Sequence, residues 1–376
     1  MQSRQYTDLD PSPRILLGPG PSMASPRVLR ALGAPLVGHL DPQFLALMDE
    51  VQSLLRYVFQ TENELTIPIS GTGSAGMEAS LCNFIEKGDR VLVAINGYFG
   101  ERLYQMAGLY GAQVERLEKP WGQVFDPAEI ETALKGKNYK LVAVVHAETS
   151  TGALQPSIAE IAAAAHNHGA LLVLDTVTSL GGLPVEIDAW GVDVAYSGSQ
   201  KCLSAPPGLA PLTVSPRARQ ALRSRGTPVA NWYLDLTQLD KYWGQERTYH
   251  HTAPISMNYA LREALRLVAE EGLQERFARH RENAELLWDG LEALDLSLLV
   301  PAQNRLPTLT TPRVPPGVDE LAVRRRLLND FNIEIAGGFG PLKGQIWRIG
   351  LMGFSSRGEN VLLLLAALGE ILSRPA

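Results

Sequence analysis

A chain of 376 residues that is 45% hydrophobic and 20% charged exceeds one minimal core and falls short of three domains, so two domains are expected. A formal charge of -6, with Lys and Arg scattered, provides no basic field for nucleic acid and points to small-molecule partners. Two cysteines, Cys82 and Cys202, make neither a disulfide framework nor a zinc site, and no apolar run is long enough to span a bilayer, so a cytoplasmic protein with no metal and no membrane association is expected.

Residues 1–22, with Pro11, Pro13 and the Gly18-Pro19-Gly20-Pro21 run, read as an extended N-terminal arm. Apolar periodicity then predicts a helix over 44–57, a strand over 65–69, a Gly-rich turn and a helix over 76–84. Apolar, β-rich runs recur at 91–95, 141–145, 171–174 and 192–196, separated by helical segments such as 158–167. This alternation is the signature of a mostly parallel sheet wrapped by helices, an α/β large domain placed at 23–270. After a helical stretch over 257–287 come an apolar run at 306–312, a charged helix over 320–329, strands at 333–336 and 346–350, and a last apolar helix. These form a smaller α+β domain, placed at 271–376.

The chemistry concentrates where strands end. Tyr196-Ser197-Gly198-Ser199-Gln200-Lys201 follows a strand and sets a lysine at the sheet edge, where open α/β folds bind ligands; such an amine can form an imine with an aldehyde cofactor. Taken alone, it is as readily a surface lysine in a loop. Asp175 closes the apolar strand Leu171-Leu172-Val173-Leu174, and a carboxylate there wants a cation such as the protonated ring nitrogen of pyridoxal phosphate, unless it caps a following helix. Ser70-Gly71-Thr72-Gly73-Ser74-Ala75-Gly76 leads from a strand into a helix, whose free N–H groups and dipole favour one phosphate; Thr72, Gly73 and Ser74 form the candidate cradle. Phe99 and Thr149 also follow strands, the one able to stack on an aromatic ring and the other to donate to a phenolic oxygen, though singly each fits core packing or turn chemistry. Arg348, in an alternating strand, wants an anion, either a substrate carboxylate or a nearby acid such as Glu334.

Together these segments closely resemble the alanine–glyoxylate and serine–pyruvate aminotransferases of class V. The likeness is carried by Leu17-Gly18-Pro19-Gly20-Pro21-Ser22, Ser70-Gly71-Thr72-Gly73, Glu148-Thr149-Ser150-Thr151-Gly152, Ser197-Gly198-Ser199-Gln200-Lys201, Ala205-Pro206-Pro207-Gly208, Tyr249-His250-His251-Thr252 and Arg348-Ile349-Gly350-Leu351, in order from the arm to the final helix. The resemblance implies a pyridoxal-phosphate-dependent transferase fold of type I, like that of aspartate aminotransferase, with a mostly parallel seven-stranded sheet. It implies Lys201 as the Schiff-base lysine, Asp175 at the pyridine nitrogen, Val177 and Phe99 against the ring, and Thr149 near the phenolic oxygen. Thr72, Gly73, Ser74 and Gln200 would hold the phosphate, Tyr249 and Thr252 would reach the phosphate of a neighbouring subunit, and Arg348 and Gly20 would meet the substrate. An obligate homodimer with shared sites follows. Phe99 stands where a tryptophan often stacks, and Ser74 where a histidine is found.

The implied reaction is ping-pong transfer of an amino group from alanine or serine to glyoxylate or pyruvate. Two rivals are a cysteine desulfurase, which needs a nucleophilic cysteine on a mobile loop, and a non-catalytic cofactor-binding subunit.

Overall fold

The computed structural model describes residues 8–373; residues 1–7 of the expected arm lie outside them. Seven strands form the central sheet in the order Leu65–Ser70, Leu209–Val214, Val194–Tyr196, Leu171–Asp175, Leu141–Val145, Arg90–Ile95, Gln113–Glu118. All neighbours run parallel except Leu209–Val214, which is antiparallel to both its partners. The middle strands are buried along their length, as sheets covered on both faces require. Alternate residues serve opposite layers: Val142, Val144, Leu172 and Leu174 pack in one apolar cluster, Leu141, Ala143, Leu171 and Val173 in another.

Two strands of this sheet escaped sequence reading, for different reasons. Gln113–Glu118 is an edge strand with polar side chains and no apolar run. Leu209–Val214 contains Pro211, which argues against an interior strand. In the fold Pro211 stands opposite Pro68 in register, and the Pro211 carbonyl accepts from Ser197 N at 2.8 Å, a ladder bond that needs no proline N–H.

Other boundaries moved for local reasons. The helix expected from 76 begins at Gly73 and runs Gly73–Cys82, so Gly73 and Ser74 are its first turn rather than a preceding loop. The stretch 257–287 breaks at Gly272, whose φ of 86° ends one helix, Ile255–Glu271, before Leu273–Ala293 begins. The C-terminal region carries a three-stranded sheet of Leu309–Thr310, Trp347–Gly350 and Ala336–Gly337, backed by the helices Glu320–Phe331 and Gly358–Ser373.

The arm is tied to that region. Ile15–Leu16 pairs in parallel with Ile333–Glu334, Leu17 is wholly buried in the same apolar cluster as Trp347 and Ile349, and the Leu17 carbonyl accepts from Gly350 N at 2.8 Å. A Cβ on Gly350 would stand 2.1 Å from the Gly18 carbonyl oxygen. Gly350→Ala must therefore push the arm away, at a cost of about 1–3 kcal/mol for an overpacked site. A lowered melting temperature and faster proteolysis of the arm are expected; a variant as stable as the parent would show that the arm is not locked there.

Candidate active site

Register places the site. Val145, Asp175 and Tyr196 are paired across three adjacent strands, so their carboxyl ends line one edge of the sheet. The chain turns there from Tyr196 into Lys201, which is 8% exposed. Lys201 Nζ donates to the Pro19 carbonyl of the arm. Gly20, at φ +115°, lies so close that a Cβ would come within 2.8 Å of Lys201 Cδ. A glycine is needed here both for the backbone angle and for the approach. Burial, abetted by the charge of Arg348 and opposed by those of Asp175 and Glu148, lowers the Lys201 ammonium to about 8.

Asp175 is 2% exposed and receives two donors: Tyr196 Oη to Oδ2 at 2.6 Å and Val177 N to Oδ1 at 2.8 Å. Burial nevertheless raises its carboxyl to about 6. The bond to Val177 N is a local turn, and no helix follows it, so the helix-cap alternative is not realised. Thr149 and Thr178 share a hydroxyl–hydroxyl bond in the same buried layer.

The start of the helix Gly73–Cys82 abuts this cluster: a Cβ on Gly73 would sit 3.5 Å from Val177 Cγ2 and 3.8 Å from Gly198 Cα. Thr72, its N-cap, makes no side-chain cap bond, and Thr72 and Ser74 are exposed. Gln200 Oε1 is buried without a partner, a state that polar atoms leave when a ligand meets them. Thr72, Gly73, Ser74, Val177, Gln200, Asp175 and Lys201 are thus brought together at one end of the sheet.

Phe99 opens the helix Tyr98–Leu109 and is held by its backbone. Phe99 N and Gly100 N donate to Glu148 Oε2 at 3.1 and 3.3 Å, while Ser150 N and Oγ donate to Glu148 Oε1 at 3.0 and 2.6 Å. Glu148 is fully buried, and burial raises its carboxyl against these four bonds. Sequence reading quoted Glu148 in a motif but gave it no role. A Cβ on Gly97 would meet Glu148 Cγ at 2.3 Å, so the glycine before this helix makes room for the carboxylate that caps it.

Arg348 is 3% exposed. Its Nε donates to the Gly337 carbonyl at 2.7 Å and its guanidinium carbon lies 3.9 Å from the Phe339 ring centroid. No acid pairs with it among the described residues, Glu334 included, because Glu334 lies on the strand that pairs with the arm. Burial lowers the guanidinium to about 10, with the Glu148 charge opposing the shift. Phe339 in turn packs on Tyr98 at 5.0 Å between centroids, a contact no sequence signal announced.

Tyr249 and Thr252 do not join this chain's cluster. Tyr249 is 59% exposed and packs on His39, and Thr252 is exposed. Between them His251 bonds Ser70 Oγ at 2.7 Å, anchoring the segment beside the strand that leads to Thr72. Tyr196 was missed as a site residue; its signal was its place one strand over from Asp175, which only register exposes.

Neutral Nζ alone adds to an aldehyde, so the reactivity of Lys201 falls about tenfold per pH unit below its pKa. Borohydride-trapped labelling of apo-protein by pyridoxal phosphate is expected at Lys201, half-maximal near pH 8 rather than near the 10.5 of a free lysine. Label on a different lysine, or a midpoint above pH 10, contradicts the assignment.

Comparison with known proteins places this geometry among relatives. The aminotransferase class-V family model matches residues 19–341. The crystal structure of an alanine–glyoxylate aminotransferase from Nostoc sp. superposes with a TM-score of 0.97 at 58% identity, covering 98% of each chain. The (S)-ureidoglycine–glyoxylate transaminase of Bacillus subtilis is 44% identical over 96% of this chain and 91% of its own, and the alanine–glyoxylate aminotransferase of Callithrix jacchus 43% identical over 96% and 87%.

Proposed function

The chain belongs to the class-V aminotransferase family, and we propose that within it this enzyme moves the amino group of a small amino acid, alanine or serine, to glyoxylate or pyruvate, with alanine–glyoxylate transfer foremost. The reading is carried by Arg348, a buried guanidinium without an acid partner among the described residues, in the same electrostatic cluster as Lys201 and Glu148. Such a charge is costly unless an anion meets it, and donor and acceptor both bring a carboxylate.

Pyridoxal phosphate is the cofactor, and the residues present fit it. Asp175 is a buried carboxylate that lacks an ion-pair partner among the described residues, and Thr72 and Ser74 are exposed at a helix start that has no side-chain cap bond, so its free N–H groups can meet an anion. Thr72, Gly73, Ser74 and Gln200 would hold the phosphate, Asp175 the ring nitrogen, Val177 and Phe99 the ring faces and Thr149 the phenolic oxygen. When bound, the cofactor supplies the sink for the electrons left by the broken Cα–H bond.

The rest is done by the chain. Lys201 Nζ, partly neutral near pH 8, takes the proton from the donor's Cα and returns one to the acceptor in the second half-reaction. Asp175, ionised against a cation, keeps the proton on the ring nitrogen. Arg348 fixes the carboxylate so that the Cα–H bond faces Nζ. Gly20 keeps the arm thin above Lys201, which admits the substrate. Cys82 and Cys202 are wholly buried, their thiols pushed up to about 12 and about 11 by burial, which argues against a desulfurase. (S)-Ureidoglycine, named for the Bacillus subtilis relative, joins alanine and serine as a donor to be assayed. Steady-state rates with alanine, serine and (S)-ureidoglycine against glyoxylate and pyruvate decide the pair. Turnover by the purified chain alone excludes a non-catalytic subunit, and its absence with every pair overturns the reading.

Arg348→Ala is expected to lower kcat/KM for donor and acceptor alike by about 2–4 kcal/mol, as for a lost charged hydrogen-bond pair, with Arg348→Lys intermediate because it keeps the charge but not the fork. Unaltered KM values in a folded variant would make the arginine structural.

The exposure of Tyr249 and Thr252 supports a homodimer in which they complete the partner's phosphate site. Mixed dimers of Lys201→Ala chains with Tyr249→Ala, Thr252→Ala chains are expected to regain one working site each. Mixed dimers that stay inactive count against shared sites. No helix among the described residues is long and apolar enough to cross a membrane.

A further inference from the structure

The groups that this chain offers the phosphate under the reading above, Thr72, Gly73, Ser74 and Gln200, are all neutral. A phosphate monoester carries about 1.5 to 2 negative charges at neutral pH, and a helix N-terminus offsets roughly half of one. One cation stands beside this cradle unspent. Arg102 Nη1 donates to Ser74 Oγ at 3.1 Å, and its guanidinium carbon lies 5.0 and 5.1 Å from the ring centroids of Phe99 and Tyr98.

Arg102 has no ion pair among the described residues. Its neighbour Glu101 is engaged by Arg116 and Gln105, and Glu148 by backbone amides and Ser150. Its charge also reaches inward. Burial, with Asp175, holds the Tyr196 hydroxyl well above its usual range, and Arg102 pulls it the other way. Ser74 Oγ accepts from Arg102, so its own hydroxyl proton remains free to donate to an anion, and Ser74 is exposed at the helix start where that anion would sit.

We propose that Arg102 is a positioning residue for the cofactor's phosphate: held by the rings of Tyr98 and Phe99, it orients the Ser74 hydroxyl and supplies the positive charge that the rest of the cradle lacks. This rests on the cradle assigned under the proposed function. It also gives serine at position 74 a physical account, because a hydroxyl bonded to a guanidinium can serve an anion as a ring N–H does.

The test uses apo-protein and two probes, pyridoxal phosphate and pyridoxal, which differ only in the phosphate. In Arg102→Gln, binding of pyridoxal phosphate is expected to weaken about ten- to a hundredfold, as for a lost charged contact, while binding of pyridoxal is unchanged. Arg102→Lys should recover part of the loss, and added salt should weaken the parent's binding of pyridoxal phosphate more than that of Arg102→Gln. Ser74→Ala should lower the same affinity ratio. Equal losses for both probes would mean that Arg102 only packs Phe99, and no loss that it does nothing here; either result overturns the proposal while the cradle stands. A parent that binds both probes equally would show the cradle itself to be misplaced, and the proposal falls with it.

Discussion

The arrangement turns on one constraint: an amine that must be partly neutral near physiological pH cannot be left in water, and a buried ammonium is costly. Lys201 meets it by lying under the N-terminal arm at the ends of buried strands. Everything that fixes its position therefore matters to its reactivity. From in front, the arm delivers the Pro19 carbonyl, and the arm is itself a strand beside Ile333–Glu334. From behind, Arg276 on the helix Leu273–Ala293 donates to the carbonyls of Gly181 at 2.7 Å and Cys202 at 2.6 Å and pairs with Glu271 at 2.6 Å. The residue after the lysine is thus held from the C-terminal half of the chain, while the lysine itself leaves the central sheet.

The same economy of burial governs the neighbouring charges. Asp175, Glu148 and Arg348 are all nearly inaccessible, and the charge of Glu148 acts on both of the others. Glu148 spends both oxygens on backbone amides and Ser150, and so serves as a fixed anion that orients Phe99. Asp175 has one donor on each oxygen, leaving room for a further N–H. Arg348 gives Nε to a carbonyl and sets its guanidinium carbon over the Phe339 ring, so its remaining N–H groups are available to an anion. A site whose charges are placed before ligand arrives needs little reorganisation when charge develops.

Aromatic contacts tie its two ends together. Arg102 lies against Tyr98 and Phe99, Tyr98 packs on Phe339, and Phe339 lies under Arg348. One row of rings thus runs from the helix start at Ser74 to the arginine of the small sheet, joining residues more than two hundred positions apart. Residues from both halves of the chain meet on it, which makes the spacing of Ser74 and Arg348 a property of the packed molecule.

By itself the sequence determined the alternation of strands and helices, the buried strands with their uninterrupted apolar runs, and the residues whose chemistry is local: a lysine and an aspartate at strand ends, a glycine-rich helix start, an arginine in an alternating strand. These are legible because burial and backbone freedom act on near neighbours in the chain. It could not show Leu209–Val214, where Pro211 argues against an interior strand, nor the edge strand Gln113–Glu118, which pairs on one side alone. Tertiary structure alone decided that Tyr196 bonds Asp175, that Glu148 caps the helix bearing Phe99, that Arg102 reaches Ser74 and that Arg348 finds no acid among the described residues. Each joins groups far apart in sequence, and a hydrogen bond or an unpaired charge exists only once two distant segments have been brought to within a few ångströms, which no pattern along one segment records.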